Sequence, residues 1–375
     1  MIFLLLLLVV LIYTVTIAQL IHGFDRVSEY FPTQESPKTF FAIVVPFRNE
    51  ARNLPGLLES FRKLNYPAAL FEIILVDDFS EDESVKLVYN WRMENGEFQF
   101  TLLENIKISG SPKKDAIARA IPIIKNDWVI TTDADCTVPE NWLLTLDHYI
   151  QNHDASMLVG SVSYEKKKTF IRHFQQLDLT SLQGATIGSF GMGLGFMCNG
   201  ANFCYRKSLF LELGGFAGNN NTASGDDVFL LQKAVAQFPE KVHYLKSHDN
   251  IVQTKALDNW ADLFQQRVRW ASKTDSYQSV FGKDLALIVF FGNVAVLVAL
   301  VLAVLKVFAW QYLAALCGIK FLVDTVLLYK TNKFLSKKRM RFLFLSAILY
   351  PFFSVAVALY AMAFGYVWKG RKFKS

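Results

Sequence analysis

The sequence has little cysteine. Its 375 residues include only four, Cys136, Cys198, Cys204 and Cys317. Their spacings match neither a zinc-binding template nor the disulfide framework of a small secreted domain. Unpaired thiols of this kind are typical of a reducing compartment. The sequence therefore excludes a disulfide-stabilised secreted module and predicts four free cysteines.

A basic excess is missing from most of the chain. The formal charge is +6, from 39 basic and 33 acidic residues. Residues 283–375 carry 13 Lys and Arg against two acidic residues, which leaves the first 282 residues at −5. A nucleic-acid-binding domain needs a basic patch on its folded part, so we expect no nucleic-acid partner. The apolar content of 52% also excludes intrinsic disorder.

Charged side chains are absent from residues 1–21. About twenty apolar residues are enough to span a hydrocarbon core of roughly 30 Å. A cleaved signal peptide would have basic residues before the apolar run and a small-residue cleavage site after it. No Lys or Arg precedes this run, so the sequence predicts an uncleaved N-terminal transmembrane anchor over residues 1–22.

Three more apolar stretches occupy the C-terminal third of the chain, at 285–305, 309–328 and 342–368. They predict a transmembrane region of about three helices over 285–368, followed by a basic tail at 369–375. Lys320 and Asp324 lie inside the second stretch, four residues apart. Charges within a membrane helix are usually functional or interhelical, but snorkelling and a local ion pair remain open here.

The loop 330–341 has six basic and no acidic residues, which marks it as cytoplasmic under the positive-inside rule. Two crossings before this loop would put residues 25–280 on the same, cytoplasmic side. One crossing after it would put the basic tail outside, against the rule, and Pro351 could kink the last helix. The side of the tail therefore stays open.

The middle of the chain, residues 40–280, alternates apolar runs with helical patterns. Strands are predicted at 41–46, 72–78, 98–105 and 127–136. Such alternation predicts an α/β fold with a parallel, doubly wound, Rossmann-like sheet. Ligands of these sheets bind beyond the carboxyl ends of the strands.

Polar clusters follow the first two strands at that edge. Pro46–Glu50, which contains Arg48, comes after the first strand, and Asp77 and Asp78 come after the second. Adjacent carboxylates repel each other and are favoured where one of them hydrogen-bonds a ligand. Asp is also a common turn and N-cap residue, so each cluster alone could be structural.

Asp133 and Asp135 come at the end of the fourth predicted strand. Residues i and i+2 of a strand point the same way, so the two carboxylates could grip one hard divalent cation. Mg²⁺ and Mn²⁺ prefer oxygen ligands and keep open positions for phosphates. A DxD triplet is also common by chance, so the spacing alone does not decide between the two interpretations.

Two later segments also carry candidate chemistry. Asp226 and Asp227 precede a helical run, where Asp227 could act as a general base or the pair could simply cap the helix. Gln266, Arg269 and Trp270 form a QxxRW motif, in which the arginine could neutralise a phosphate and the tryptophan could stack on a sugar. The same segment also fits an amphipathic helix lying on a membrane surface.

The order of these segments is more specific than any one of them. The series VVPFRNE, ILVDDFSED, PKKDAI, DADC, NGANFCYRK with GGF, SGDDVFL and QRVRW resembles the family 2 glycosyltransferases. It is most similar to their membrane-integrated branch, which includes cellulose, hyaluronan and poly-N-acetylglucosamine synthases and ceramide glucosyltransferase. The resemblance covers about residues 40–275, and the flanking apolar segments fit the same branch.

The resemblance implies a GT-A fold and inverting transfer from a nucleotide-sugar donor, such as a UDP-sugar, to a saccharide or lipid acceptor at the bilayer. It assigns Asp133 and Asp135 to a divalent metal, Mg²⁺ or Mn²⁺, and Asp227 to the general base. The residues that it implies for donor binding are Pro46, Arg48, Glu50, Asp77, Asp78, Lys114, Asp133, Gln266, Arg269 and Trp270. Pro112 stands where the family has a glycine, which leaves Lys113 as an alternative to Lys114.

Two other hypotheses remain at this point. A polyprenyl-phosphate glycosyltransferase would need no strong base and commonly lacks QxxRW, which the chain has. A non-catalytic membrane scaffold is disfavoured by the acidic residues at all three positions. The relatives in this branch suggest a bacterial inner membrane, with the catalytic domain in the cytoplasm. The sugar, the acceptor, the processivity and the oligomeric state are left open.

Overall fold

The computed structural model describes residues 1–32, 35–165, 168–218, 225–273, 276–368 and 371–373. Four residues of the predicted basic tail, 369, 370, 374 and 375, lie outside these ranges. The chain divides into two compact units. The first, called the sheet unit, comprises Ser28–Glu165 and Met197–Lys255, and the second, called the helical unit, comprises Met1–Val27, Lys166–Phe196 and Ala256–Ser375.

The described residues form helices and strands that are numbered here in chain order. The helices are α1 (Ile2–Arg26), α2 (Leu54–Arg62), α3 (Ser84–Glu94), α4 (Pro112–Ala120), α5 (Trp142–Asn152), α6 (Phe170–Gly191), α7 (Lys207–Glu212), α8 (Asp226–Gln237), α9 (Trp260–Ala271), α10 (Val280–Val304), α11 (Trp310–Leu335) and α12 (Leu343–Ala363). The strands are β1 (Phe41–Phe47), β2 (Phe71–Asp77), β3 (Gln99–Glu104), β4 (Trp128–Thr131), β5 (Cys136–Thr137), β6 (Met157–Gly160), β7 (Val162–Tyr164), β8 (Phe203–Arg206), β9 (Val242–Leu245), β10 (Val252–Thr254), β11 (Tyr366–Trp368) and β12 (Arg371–Phe373).

The sheet unit is built on a mixed sheet whose described strands follow the order β3-β2-β1-β4-β8-β6-β9. The strands β1 to β4 run parallel, as the sequence predicts. β8 runs antiparallel to both β4 and β6, so the sheet is not wholly parallel. A second sheet of the described residues has the order β5-β10-β7.

The apolar run of β1 lies in the middle of the large sheet. Phe41, Ile43 and Val45 on this strand are fully buried, and they pack with Ile73 of β2 and Ile130 of β4 in one core cluster. A strand with a neighbour on each side and both faces covered reads as a continuous apolar run, which explains why FAIVV does not alternate.

The fourth predicted strand is shorter than expected. It was predicted over 127–136, but β4 ends at Thr131, where its pairing with both β1 and β8 also ends. Asp133 and Asp135 therefore lie in a turn beyond the strand, closed by a hydrogen bond from the Cys136 N–H to the Asp133 carbonyl (3.1 Å). Aspartate is favoured in such turns because its side chain can bond the nearby backbone.

The helical unit contains the apolar helices. Among the described residues, α1, α10, α11 and α12 are long and apolar enough to cross a membrane. They coincide with the four predicted apolar segments to within a few residues at most ends. The exceptions are the ends of the last two segments. α11 continues beyond the predicted residue 328 to Leu335, and α12 ends at Ala363, after which a short hairpin of β11 and β12 follows.

The helix α6 lies in the middle of the predicted 40–280 domain but packs with α1 in the helical unit. Glycines bring the two backbones into direct contact. A Cβ on Gly191 would lie 1.8 Å from the Gly23 carbonyl oxygen, and a Cβ on Gly188 would lie 2.3 Å from that of Leu20. Only a residue without a side chain permits this approach.

Inside the helical unit, Lys320 and Asp324 of α11 form an ion pair of 2.6 Å. The hydroxyl of Tyr13 on α1 donates to the same carboxylate at 2.6 Å. The two charges that the sequence places within an apolar segment therefore neutralise each other and bind a neighbouring helix.

Candidate active site

The loop after β1 is tied to the loop after β2 by Arg48. Its guanidinium donates to the backbone carbonyls of Asp78 (2.8 Å) and Phe79, and it pairs with Glu81 at 2.8 Å. The backbone N–H of Glu50 donates to the Ser84 hydroxyl at 2.8 Å. Arg48 and Glu50 thus set the shape of the two loops at the carboxyl edge of the sheet.

Asp77 and Asp78 end the second strand in different environments. The carboxylate of Asp77 accepts the N–H of Ser80 (3.1 Å) and closes a turn. Asp78 is buried and accepts from the Asn105 amide at 2.8 Å. The sequence analysis did not single out Asn105, which follows the third predicted strand at the same edge.

The two lysines of the PKKDAI segment lie in the first turn of α4 and face different ways. Pro112 is the first residue of α4, a position that tolerates proline. Successive residues of a helix are turned by about 100°, so their side chains diverge. Lys114 is buried, with its ammonium 5.1 Å from the Phe229 ring centroid. Lys113 instead reaches Asp133.

Asp133, Asp135 and Cys136 form the group of side chains best placed to hold a metal among the described residues. Their ligand atoms all lie within 4.8 Å of one another. Burial, together with the negative charges of Asp135 and Asp133, raises the pKa of the Cys136 thiol well above its ordinary value. The two carboxylates are a donor set that suits a hard cation such as Mg²⁺ or Mn²⁺.

Asp226 and Asp227 begin α8, preceded by Gly225 in the left-handed conformation (φ +88°). Both side chains are nearly buried, with 7% and 9% of their surfaces exposed. The Asp227 carboxylate accepts two backbone N–H groups, from Gly200 and from Val228, each at 2.8 Å. These two bonds fix the direction of the carboxylate.

Lys113 forms ion pairs with both Asp133 and a carboxylate of α8. Its ammonium lies 2.7 Å from Asp133 and 3.3 Å from Asp226. Burial by itself would lower the pKa of Lys113, but the charges of Asp133, Asp226 and Asp227 raise it above its ordinary value. The ammonium is thus a permanent cation among these carboxylates, here called the acidic cluster.

Gly200 is a residue of the site that sequence reasoning did not assign, although it lies in the quoted NGANFCYRK segment. A Cβ at this position would lie 3.0 Å from the Lys113 ammonium and 3.4 Å from the Asp227 Cβ. Its carbonyl accepts from the Thr131 hydroxyl at 2.8 Å, which anchors it to the end of β4. Glycine at 200 therefore leaves room for the Lys113 and Asp227 side chains, which both pack against it.

Gln266, Arg269 and Trp270 lie on α9 of the helical unit, as the helical spacing predicts. Asn259 caps this helix, because its side chain accepts the N–H of Asp262 at 2.8 Å. The role of the three residues at a donor stays a prediction, like the other assigned roles.

The chain is similar in sequence to known glycosyltransferases. Residues 42–214 match the sequence model of Glycosyl transferase family 2. The poly-beta-1,6-N-acetyl-D-glucosamine synthase of Staphylococcus epidermidis is 22% identical over 289 residues, which are 74% of this chain and 63% of that protein. The poly(ribitol-phosphate) beta-N-acetylglucosaminyltransferase TarS of Staphylococcus aureus is 26% identical over 119 residues, 32% of this chain and 20% of that protein. The chain thus spans less than two thirds of the length of these relatives.

A solved structure shares the fold. The mannosyltransferase of Pyrobaculum calidifontis, in complex with GDP-Man and Mn²⁺, superposes with a TM-score of 0.62 at 16% identity, over 90% of this chain and 100% of that one. This likeness shows that the fold is of the GT-A type. More narrowly, the chain contains a Glycosyl transferase family 2 domain, as the order of its motifs predicts.

Proposed function

We propose that the chain is a membrane-bound inverting glycosyltransferase that moves a sugar from a nucleoside diphosphate sugar, first of all a UDP-sugar, to a hydroxyl of a saccharide or lipid acceptor. The acidic cluster carries this proposal. Asp133 of this cluster lies with its carboxylate within 4.8 Å of that of Asp135, and Lys113 links Asp133 to Asp226 at the start of α8.

Asp133 and Asp135 would hold a divalent cation, Mg²⁺ or Mn²⁺. Such a cation supplies charge that stabilises the departing diphosphate. The donor-binding role of Asp77, Asp78 and the segment Pro46–Glu50 is supported by their position at the carboxyl edge of the sheet, where ligands of α/β folds bind. Pro46 itself is still part of β1 and pairs with Val76 of β2.

Asp227 is the proposed base. Its two backbone hydrogen bonds hold the carboxylate in one orientation. As that hydroxyl oxygen bonds to the anomeric carbon, its proton passes to Asp227 and the bond from that carbon to the diphosphate oxygen breaks. Attack opposite the leaving group inverts the anomeric carbon.

The four candidate spanning helices support action at a membrane. The basic segment 330–341, which comprises the end of α11 and the residues after it, supports a cytoplasmic position for the sheet unit. The named bacterial relatives, one a synthase of a polysaccharide and one a transferase to poly(ribitol-phosphate), support a saccharide or lipid acceptor and a bacterial inner membrane.

The test is a donor screen with the purified full chain in nanodiscs, with Mn²⁺, candidate acceptors, and detection of released nucleoside diphosphate. We expect release with at least one UDP-sugar and none with EDTA. Mass analysis of the product then identifies the acceptor. A chain that releases no nucleoside diphosphate from any donor would contradict the proposal.

The base is tested by Asp227→Asn, which keeps the shape but cannot take the proton. We expect at least a 100-fold loss of turnover, since general-base catalysis contributes about 10²–10⁴-fold. The matched control is Asp154→Asn, an exposed aspartate of the same unit that pairs with Lys241. Full turnover in Asp227→Asn would refute the assignment of the base.

A further inference from the structure

The QxxRW segment contains a second arginine, Arg267, whose environment differs from that of an ordinary surface residue. It is 5% exposed, although it lies on an amphipathic helix. Its guanidinium Nε donates to the carboxylate of Asp178 on α6, whose side chain is equally buried. A buried ion pair loses the hydration of two charges and is weak evidence for stability alone, so its position calls for another explanation.

The same guanidinium contacts two residues of the motif. Its Nη1 donates to the side-chain oxygen of Gln266. Its Cζ lies 4.2 Å from the centroid of the Trp270 ring. A planar guanidinium can donate in its plane and stack through its face at the same time, which the ammonium of lysine cannot do. Arg267 therefore fixes both Gln266 and Trp270 through one group held by Asp178.

Other side chains of α6 also hold the segment that leads into α9. The Gln175 side chain of α6 binds both backbone groups of Leu257, donating at 2.8 Å and accepting at 2.9 Å. Arg172 of α6 pairs with Asp258 at 2.6 Å, just before α9 begins. These two contacts thus join α6 to the residues just before α9 without contacting the QxxRW motif.

We propose that Arg267 is a positioning residue for sugar transfer. The Asp178–Arg267 pair holds the side chains of Gln266 and Trp270 in the orientation in which they contact the donor and acceptor. This inference rests on the proposed function, because it assigns Arg267 to the same reaction.

The experiment compares Arg267→Met, Arg267→Lys and Asp178→Asn in nanodiscs, each checked for folding by circular dichroism. We expect kcat to fall about tenfold or more in Arg267→Met. Arg267→Lys should keep the ion pair but lose the stack, and so should recover less than half of the wild-type rate. Arg172→Met is the matched control, since it removes the partly exposed ion pair between α6 and Asp258, just before α9. Its kcat should stay within twofold of wild type.

A cycle with Trp270→Phe separates positioning from a merely structural role. If Arg267 acts through Trp270, the Arg267→Met/Trp270→Phe variant should lose no more rate than the worse single variant. If the rate losses of the two single variants multiply in the double variant, the proposal is overturned. A folded Arg267→Met or Asp178→Asn variant with wild-type kcat and KM would also overturn it. A wild-type chain without any transferase activity would overturn both this inference and the proposed function, whereas normal wild-type activity with unaffected Arg267 variants would overturn this inference alone.

Discussion

Replacement of Lys113 by methionine should make the stability of the sheet unit depend on a divalent cation. Lys113 lies 2.7 Å from Asp133 and 3.3 Å from Asp226, with 18% of its side chain exposed. Methionine keeps most of the volume of the side chain and removes its charge. The carboxylates of the acidic cluster would then repel each other without the positive charge of the ammonium that now lies among them.

The size of the effect follows from the burial of the partners. Removal of one member of a buried ion pair costs about 3–5 kcal/mol. Because the Asp133 side chain is 38% exposed, water would screen part of the remaining charge, and we take the lower end, about 3 kcal/mol. For a unit of roughly 200 residues, 1 kcal/mol shifts the unfolding midpoint by about 2–4 °C, so we expect a decrease of about 6–12 °C.

Mn²⁺ should reverse most of this loss. A cation at 100 times its dissociation constant stabilises a protein by about 2.7 kcal/mol. Wild type should gain less from the same Mn²⁺ concentration, because the Lys113 ammonium competes with the metal for Asp133. The lysine therefore lowers the affinity of the empty site for metal while it stabilises the metal-free protein.

The assay is thermal unfolding in nanodiscs, followed by tryptophan fluorescence, in EDTA and in a Mn²⁺ titration. Lys86→Met is the control, since Lys86 pairs with Glu83 in an exposed ion pair on α3 whose loss should cost less than about 1 kcal/mol. The reasoning is refuted if Lys113→Met unfolds at the wild-type temperature in EDTA, or if Mn²⁺ raises both midpoints equally.

Two further predictions concern the helical unit, and both are read from the same unfolding midpoint. Gly191→Ala should destabilise this unit by about 1–3 kcal/mol, because the new Cβ would meet the Gly23 carbonyl at 1.8 Å. Gly318→Ala on α11 is the control and should have no such effect, since no atom lies within 4 Å of the added Cβ. Equal midpoints for the two variants would contradict the α1–α6 contact. Lys320→Met should lower the stability by about 3 kcal/mol, because it leaves the Asp324 carboxylate without a counter-charge among apolar helices. The Lys320→Met/Asp324→Asn variant should recover most of this stability. A double variant no more stable than the single one would show that the ion pair does not stabilise the unit.

Several features were predictable because they depend on neighbours in the sequence. Apolar runs of about twenty residues gave the four candidate spanning helices, since their length alone matches the hydrocarbon core. The alternation of strands and helices predicted the parallel core from β1 to β4. The order of the motifs predicted the family 2 domain, because an ordered series of short patterns is far more specific than any one pattern.

Other features depend on contacts between distant residues, and the sequence pattern did not reveal them. The direction of β8 follows from how its chain returns to the sheet beside β4, which no local pattern encodes. The end of β4 at Thr131 depends on where β1 and β8 stop pairing, so the DxD turn was mistaken for the end of a strand. The assignment of α6 to the helical unit follows from its glycine contact with α1.

The sequence by itself determined which chemical groups the protein has: the DxD carboxylates, the Asp227 candidate base, the QxxRW segment and the apolar helices. Only the tertiary structure decided which of them meet. It selected Lys113 rather than Lys114 as the partner of Asp133, it placed Gly200 against Asp227, and it paired Arg267 with Asp178. The physical reason is that an ion pair or hydrogen bond forms between atoms a few ångströms apart, and that separation is set by the packing of elements that lie far apart in the chain.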